Sequence, residues 1–273
     1  MRPPPSSDAR PRRAAEASGL AVTRHAANVA VAPRVVLVHG TLDRGRSMRR
    51  VVERLPDMHV VTYDRRGYAG SLAAGPPTGL RQHADDLLAI IGDERATVVA
   101  HSFGSHVAVL AAISRPDLVA GIGLWEPPVP WTEFVPADMR ARVAALAASP
   151  DPEAVGEQTR RRMMGEEAWE ALPEATRAAC RVEGRAFVVD MASEVEAPYD
   201  WADVAVPCVV GYGGRSTLNP NGAAARVAEA LGCELFCAED APHAAHVQHP
   251  DSFAAFVRRA VERAVELGER RRG

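Results

Sequence analysis

A chain of 273 residues, 47 % of them hydrophobic, can bury one large core with room for a small insertion. A formal charge of -3 leaves no electrostatic case for a nucleic-acid partner. No apolar run reaches the roughly 18 residues of a membrane span, and the Pro-, Ser-, Ala- and Arg-rich stretch 1–18 lacks the apolar segment of a secretory signal and reads as a disordered tail.

Strands and helices alternate from Arg34 onward. Residues 34–38 form an apolar run ending in His39-Gly40-Thr41, then come a helical stretch over 46–55 and a β-rich run at 59–63. Residues 81–91 read as a helix, 96–101 as a strand, 103–114 as a helix and 119–125 as a strand. After the breaker Pro127-Pro128-Val129-Pro130 the pattern changes, and 131–203 is mostly helical, Ala- and Arg-rich, with no parallel strand. Alternation resumes with a strand at 207–212, a helix at 222–231, a strand at 233–237 and a helix at 252–267, before a basic end at 268–273 that reads as fraying. Short apolar strands between amphipathic helices imply an α/β protein whose mostly parallel central sheet is covered on both faces. The expected organisation is a tail (1–18), a core in two parts (19–130 and 204–273) and a helical insertion (131–203).

Four cysteines, Cys180, Cys208, Cys233 and Cys237, show no metal-ligand spacing, so no metal is expected. Cys233 and Cys237 fall on one face of one strand, as buried thiols, and a reduced cytoplasmic chain is the simplest account.

Ala100-His101-Ser102-Phe103-Gly104 carries most of the chemical information. An apolar strand runs into a serine with small residues two positions to either side, and a helix follows at once. That is the outline of a nucleophile elbow, in which the small flanking residues let strand and helix pass while the serine is lifted clear of the sheet. Taken alone, a serine before a helix is as readily an N-cap.

With these elements in order, the chain resembles the α/β-hydrolase family over about 19–267. The resemblance rests on His39-Gly40-Thr41 after an early strand, the segment Tyr63-Asp64-Arg65-Arg66-Gly67-Tyr68-Ala69-Gly70-Ser71, the elbow at Ser102, and Ala241-Pro242-His243 ahead of Pro250 and the last helix. It implies an α/β-hydrolase fold with a helical cap over 131–203 and a serine nucleophile, Ser102, served by a histidine base. Spacing to Pro250 favours His243 over its neighbour His246; His101 and His106 are expected to be structural or substrate-facing. The family commonly carries the acid after the strand at 207–212, where this chain reads Gly213-Gly214-Arg215-Ser216-Thr217. Glu126, at the carboxyl end of the 119–125 strand, is the favoured substitute and Asp240 the alternative. The implied oxyanion hole consists of the backbone N–H groups of Thr41 and Phe103, with Leu42 in place of Thr41 if the loop is read one residue differently.

Pocket residues are expected at His39, Leu42, Trp131 and Phe134, while Arg160-Arg161-Arg162 is expected to be a solvated helix face rather than an anion site. The implied activity is hydrolysis of a small ester, thioester or lactone with an apolar portion, without a cofactor. Two alternatives stay open: a non-hydrolytic enzyme of the same fold (a lyase, cyclase or cofactor-free peroxidase), and a ligand-binding protein that has lost turnover.

Overall fold

A computed structural model of the chain describes residues 19–196 and 199–270. Seven strands form one sheet: β1 (Val22–His25), β2 (Arg34–Val38), β3 (His59–Tyr63), β4 (Ala96–His101), β5 (Val119–Trp125), β6 (Cys208–Gly213) and β7 (Glu234–Ala238). Their order is β1-β3-β2-β4-β5-β6-β7, with β1 antiparallel to β3 and every other pair parallel.

Alternate side chains along these strands feed two cores, because successive Cβ atoms point to opposite faces. Val36, Val98, Ala100 and Leu124 cluster with α2 (Leu80–Ile91), α3 (Gly104–Ser114) and α9 (Ala223–Ala230). Val35, Leu37, Val99 and Val209 cluster with the short α1 (Arg49–Val52) and the long α11 (Pro250–Arg270), which follows the single turn α10 (Ala245–Gln248). This is the α/β-hydrolase architecture that the sequence implies.

Between β5 and β6 lies the helical insertion: α4 (Ala137–Ala147), α5 (Pro152–Met164), α6 (Glu166–Glu170), α7 (Glu174–Val182) and α8 (Gly184–Val195). It packs on the core through Leu42 and Tyr68, which cluster with Ala186, Phe187 and Met191 of α8. Arg160 pairs with Glu183, and Arg161 with Glu157, Glu166 and Glu170, so neither arginine is a vacant anion site.

Three expectations need correction. β1, whose Val22-Thr23-Arg24-His25 has no apolar run, was not foreseen; as an edge strand it buries little and carries little pattern. Cys237 is exposed and Cys233 half-buried rather than buried, because β7 is the opposite edge. The last helix continues to Arg270, past the point where fraying was expected. The expected tail (1–18) and the last residues (271–273) lie outside the described residues. Among the described residues no helix is long and apolar enough to cross a membrane.

Two glycines let the insertion close. A Cβ on Gly184 would stand 2.0 Å from the Pro152 carbonyl oxygen, and one on Gly156 would stand 2.6 Å from Gly184 Cα. Both neighbours are backbone and cannot swing aside. Gly184→Ala is therefore expected to cost roughly 1–3 kcal/mol, measured as a lowered urea midpoint; an unchanged midpoint would mean that α5 and α8 can separate freely.

Candidate active site

Ser102 stands at the tip of the β4–α3 turn with φ of 52°, a left-handed conformation that a serine adopts only when its surroundings enforce it. Its N–H donates to the Trp125 carbonyl at 2.8 Å, which extends the β4–β5 ladder into the turn. A Cβ on Gly104 would come within 2.8 Å of the Val38 and His39 carbonyl oxygens, so α3 can start here only with a glycine. The local structure is the elbow geometry rather than a simple N-cap.

β5 ends in a second strained residue. Glu126 has φ of 46° and is 4 % exposed, and its N–H donates to the Gly211 carbonyl at 2.8 Å. Its carboxylate accepts hydrogen bonds from three sides: Gly213 N–H at 2.9 Å, Ser216 Oγ at 2.7 Å and His243 Nδ1 at 2.6 Å. With Nδ1 as donor to the carboxylate, Nε2 is left as the basic nitrogen of His243. The His243 carbonyl is itself held by Trp125 Nε1 and His101 Nε2, each at 3.0 Å. Asp240, the alternative acid, is exposed; Glu126 pairs with His243 instead.

Thr41 and Phe103 flank Ser102 in space and chain respectively. Among the described residues neither backbone N–H donates a hydrogen bond. The loop carrying Thr41 is fixed from behind by a buried ion pair. Arg65 and Asp190 have no exposed side-chain surface, and their closest atoms are 2.7 Å apart. Arg65 also donates to the carbonyls of His39 (3.1 Å) and Gly40 (3.0 Å), while Asp190 accepts from Thr41 Oγ1 (2.9 Å) and Tyr68 OH (2.6 Å). His83 Nε2 completes the cluster, 3.1 Å from Asp190. Burial alone would push the Asp190 carboxyl up, but the Arg65 guanidinium and His83 outweigh it and hold it below the usual carboxylate range.

A cavity of about 280 Å³ opens over Ser102 and His243. Thr41, Glu126 and Pro127 to Pro130 form its floor, and Met139, Val143 and Leu146 of α4 with Phe187, Met191 and Glu194 of α8 form its roof. The four residues expected to line a pocket do not line this one. His39 is fully buried, its Nδ1–H donating to the Gly40 carbonyl (2.7 Å) and its Nε2 accepting from Arg65 N–H (2.8 Å); burial and Arg65 push its pKa down to about 3. Leu42, at φ of 49°, is buried against Tyr68 and Phe187 beneath α8. Trp131 packs on His106 and on Tyr199 and Trp201, tying the start of the insertion to its end. Phe134 carries the Arg226 guanidinium over its ring at 5.6 Å. The signal for these roof residues in the sequence is the helical spacing of 139, 143 and 146 on α4 and of 187, 191 and 194 on α8.

His101 and His106 are structural. His106 is fully buried with Nδ1 2.7 Å from Tyr199 OH, and burial lowers its pKa to about 3. His246 is also turned away from the cavity, 3.1 Å from Asp43 Oδ2. Among the described residues Asp43, His101 and His246 are the one group whose donor atoms could hold a metal ion, lying within 4.8 Å of one another. They sit behind His243, the His101 ring lying tilted between those of His243 (4.6 Å) and His246 (4.3 Å), and brace that loop.

The fold is that of an α/β hydrolase. Residues 35–256 match the model of the alpha/beta hydrolase family, and the chain belongs to that family. It is 36 % identical over 121 residues to Lipase LipV of Mycobacterium tuberculosis, a match covering 43 % of this chain and 45 % of that protein. The chain thus spans about half the length of the curated relative it matches. Two solved structures share the fold: the enol-lactonase from Burkholderia xenovorans LB400 (TM-score 0.67, 20 % identity, 89 % of this chain and 96 % of that one) and a thermophilic esterase from Thermogutta terrifontis (TM-score 0.65, 20 % identity, 90 % and 93 %).

Asp190→Ala would leave the Arg65 charge buried and unpaired, a loss expected to cost about 3–5 kcal/mol in denaturant unfolding. Asp190 has a lowered folded pKa, so its contribution is present above the ordinary value of 3.8 and lost as pH falls through the folded value. The gap between wild type and Asp190→Asn should accordingly narrow only on strong acidification. A gap that stays constant from pH 7 to pH 3 and below would exclude this linkage.

Proposed function

We propose that this chain is a serine hydrolase that cleaves a small ester, thioester or lactone through an acyl-enzyme on Ser102. The observation that carries the reading is the 2.6 Å contact between His243 Nδ1 and the buried Glu126 carboxylate, in a site where Ser102 and His243 open on one cavity. Ser102 Oγ attacks the substrate carbonyl carbon while His243 Nε2 takes the hydroxyl proton. Glu126 keeps the ring in the required tautomer and stabilises the imidazolium. The developing oxyanion is received by the N–H groups of Thr41 and Phe103, neither of which has another acceptor among the described residues. His243 then protonates the leaving alcohol or thiol, and a water molecule, deprotonated by the same nitrogen, releases the acid and restores Ser102.

The helical insertion acts as the cap. Its apolar roof from α4 and α8 suits a substrate with an apolar acyl portion, which agrees in kind with relatives named as a lipase, an esterase and an enol-lactonase. The four free cysteines among the described residues accord with a reducing, cytoplasmic setting.

A fluorophosphonate should add once to the wild-type protein by intact mass, and not to Ser102→Ala or His243→Ala. Turnover of p-nitrophenyl acyl esters should fall about 10⁴-fold or more in those two variants and roughly 10²- to 10⁴-fold in Glu126→Gln. An unlabelled but folded wild-type protein would count against an activated serine, and full activity in Glu126→Gln would count against the acid.

A further inference from the structure

The roof of the cavity is apolar apart from Arg142 of α4, which is exposed at the rim, and one buried polar side chain. α8 presents Phe187, Met191 and Glu194 along one face, a turn apart, while Asp190 on the flank of that stripe is consumed by Arg65. Glu194 is 4 % exposed and lines the cavity, yet among the described residues its carboxyl has no hydrogen bond and no ion pair. Buried carboxyl groups are ordinarily satisfied. Arg65, the nearby buried cation, already serves Asp190, so it does not supply the partner.

The geometry points to Glu194 as a second recognition point, a subsite for a hydroxyl group carried on the acyl arm of the substrate. This rests on the serine-hydrolase reading only in taking the acyl arm as what fills the cavity. Burial, with the Asp190 carboxylate nearby, raises the Glu194 pKa from 4.5 to about 8, Arg65 opposing, so that at neutral pH the side chain is a carboxylic acid. A carboxylic acid both donates and accepts, as a hydroxyl does, and the two pair without leaving charge in an apolar chamber. An unbranched alkyl chain would leave that acid unsatisfied, which makes discrimination against it an intrinsic property of the cavity.

The test separates binding from turnover. In Ser102→Ala, titration calorimetry is run with hexanoate, 3-hydroxyhexanoate, 6-hydroxyhexanoate and 6-aminohexanoate. At least one hydroxy acid should bind about tenfold more tightly than hexanoate, the worth of one hydrogen bond to an otherwise unpaired buried group. Adding Glu194→Leu should abolish that preference and tighten hexanoate, whereas Glu194→Gln, neutral and still a donor and acceptor, should retain most of it. With Ser102 intact, the matched p-nitrophenyl esters should show the same preference in KM, with kcat little altered between partners of a pair.

Equal affinity for plain and hydroxylated acids, or a preference that survives Glu194→Leu, would overturn the subsite. Preferential binding of the amino acid would overturn it too, assigning Glu194 to cations. If the Leu variant does not fold, the Gln variant and the wild-type side chain in Ser102→Ala still decide the matter. A hydroxyl preference in binding without any ester turnover would sink the hydrolase reading and leave the subsite standing; turnover without preference would do the reverse.

Discussion

The ion pair between Arg65 and Asp190 joins what the chain otherwise keeps apart. Arg65 follows β3 in the core, and Asp190 lies on α8 of the insertion. A pair buried this completely is expensive to desolvate and is weak evidence of stability by itself. Its value here is positional, since three further hydrogen bonds of the pair go to the loop that faces Ser102 and the others to His83 and Tyr68. Arg65 grips that loop by the carbonyls of His39 and Gly40, and Asp190 grips it by the hydroxyl of Thr41. The loop is thereby aimed by charges on either side, and the roof cannot lift away without pulling an ion pair into a partly opened interior. Arg142 and Leu218 are exposed at the rim of the cavity.

Backbone strain is concentrated in the same place. Among the described residues four other than glycine have positive φ, namely Leu42, Ala69, Ser102 and Glu126, and three of these border the cavity or its loop. Ser102 and Glu126 are each held by a ladder hydrogen bond carried one residue beyond its strand, to Trp125 and to Gly211. The sheet therefore does more than support the site. Its parallel registers across β4, β5 and β6 set the relative height of serine and glutamate before any side chain is considered. Open α/β sheets favour sites at these strand ends because the loops there are released from pairing together.

Much of this arrangement is legible in the sequence, for a physical reason. Central parallel strands are buried on both faces and so announce themselves as apolar runs, as Val35-Val36-Leu37-Val38 and Val98-Val99-Ala100 do. The elbow is legible because sterics restrict Ala100 and Gly104, and Glu126 stands out only through the family resemblance, as a carboxylate at the carboxyl end of a central strand. Edge strands are different: β1 and the outward cysteine of β7 have solvent on one side and no pattern to enforce. The cavity wall was the real failure. His39 and Leu42 belong to the loop after β2 but are buried behind it, whereas Phe187, Met191 and Glu194 reach the site only through the packing of α8. No local periodicity distinguishes an apolar residue facing a cavity from one facing another helix.

The chain is closely packed after β6. A Cβ on Gly213 would lie 2.1 Å from the Ala241 carbonyl oxygen, and one on Gly214 would lie 2.4 Å from that of Glu239. The turn after β6 is thus pressed against the segment leading into His243, and an acidic side chain at either glycine would collide with backbone. What this turn contributes instead is donors: the Gly213 N–H and the Ser216 hydroxyl both reach the Glu126 carboxylate. A carboxylate accepting two such bonds besides His243 is held in one rotamer with its charge dispersed over fixed dipoles. The His243 imidazole is thereby oriented by a carboxylate from the end of β5, while the β6 turn, free of any acidic side chain, lies close against the histidine loop.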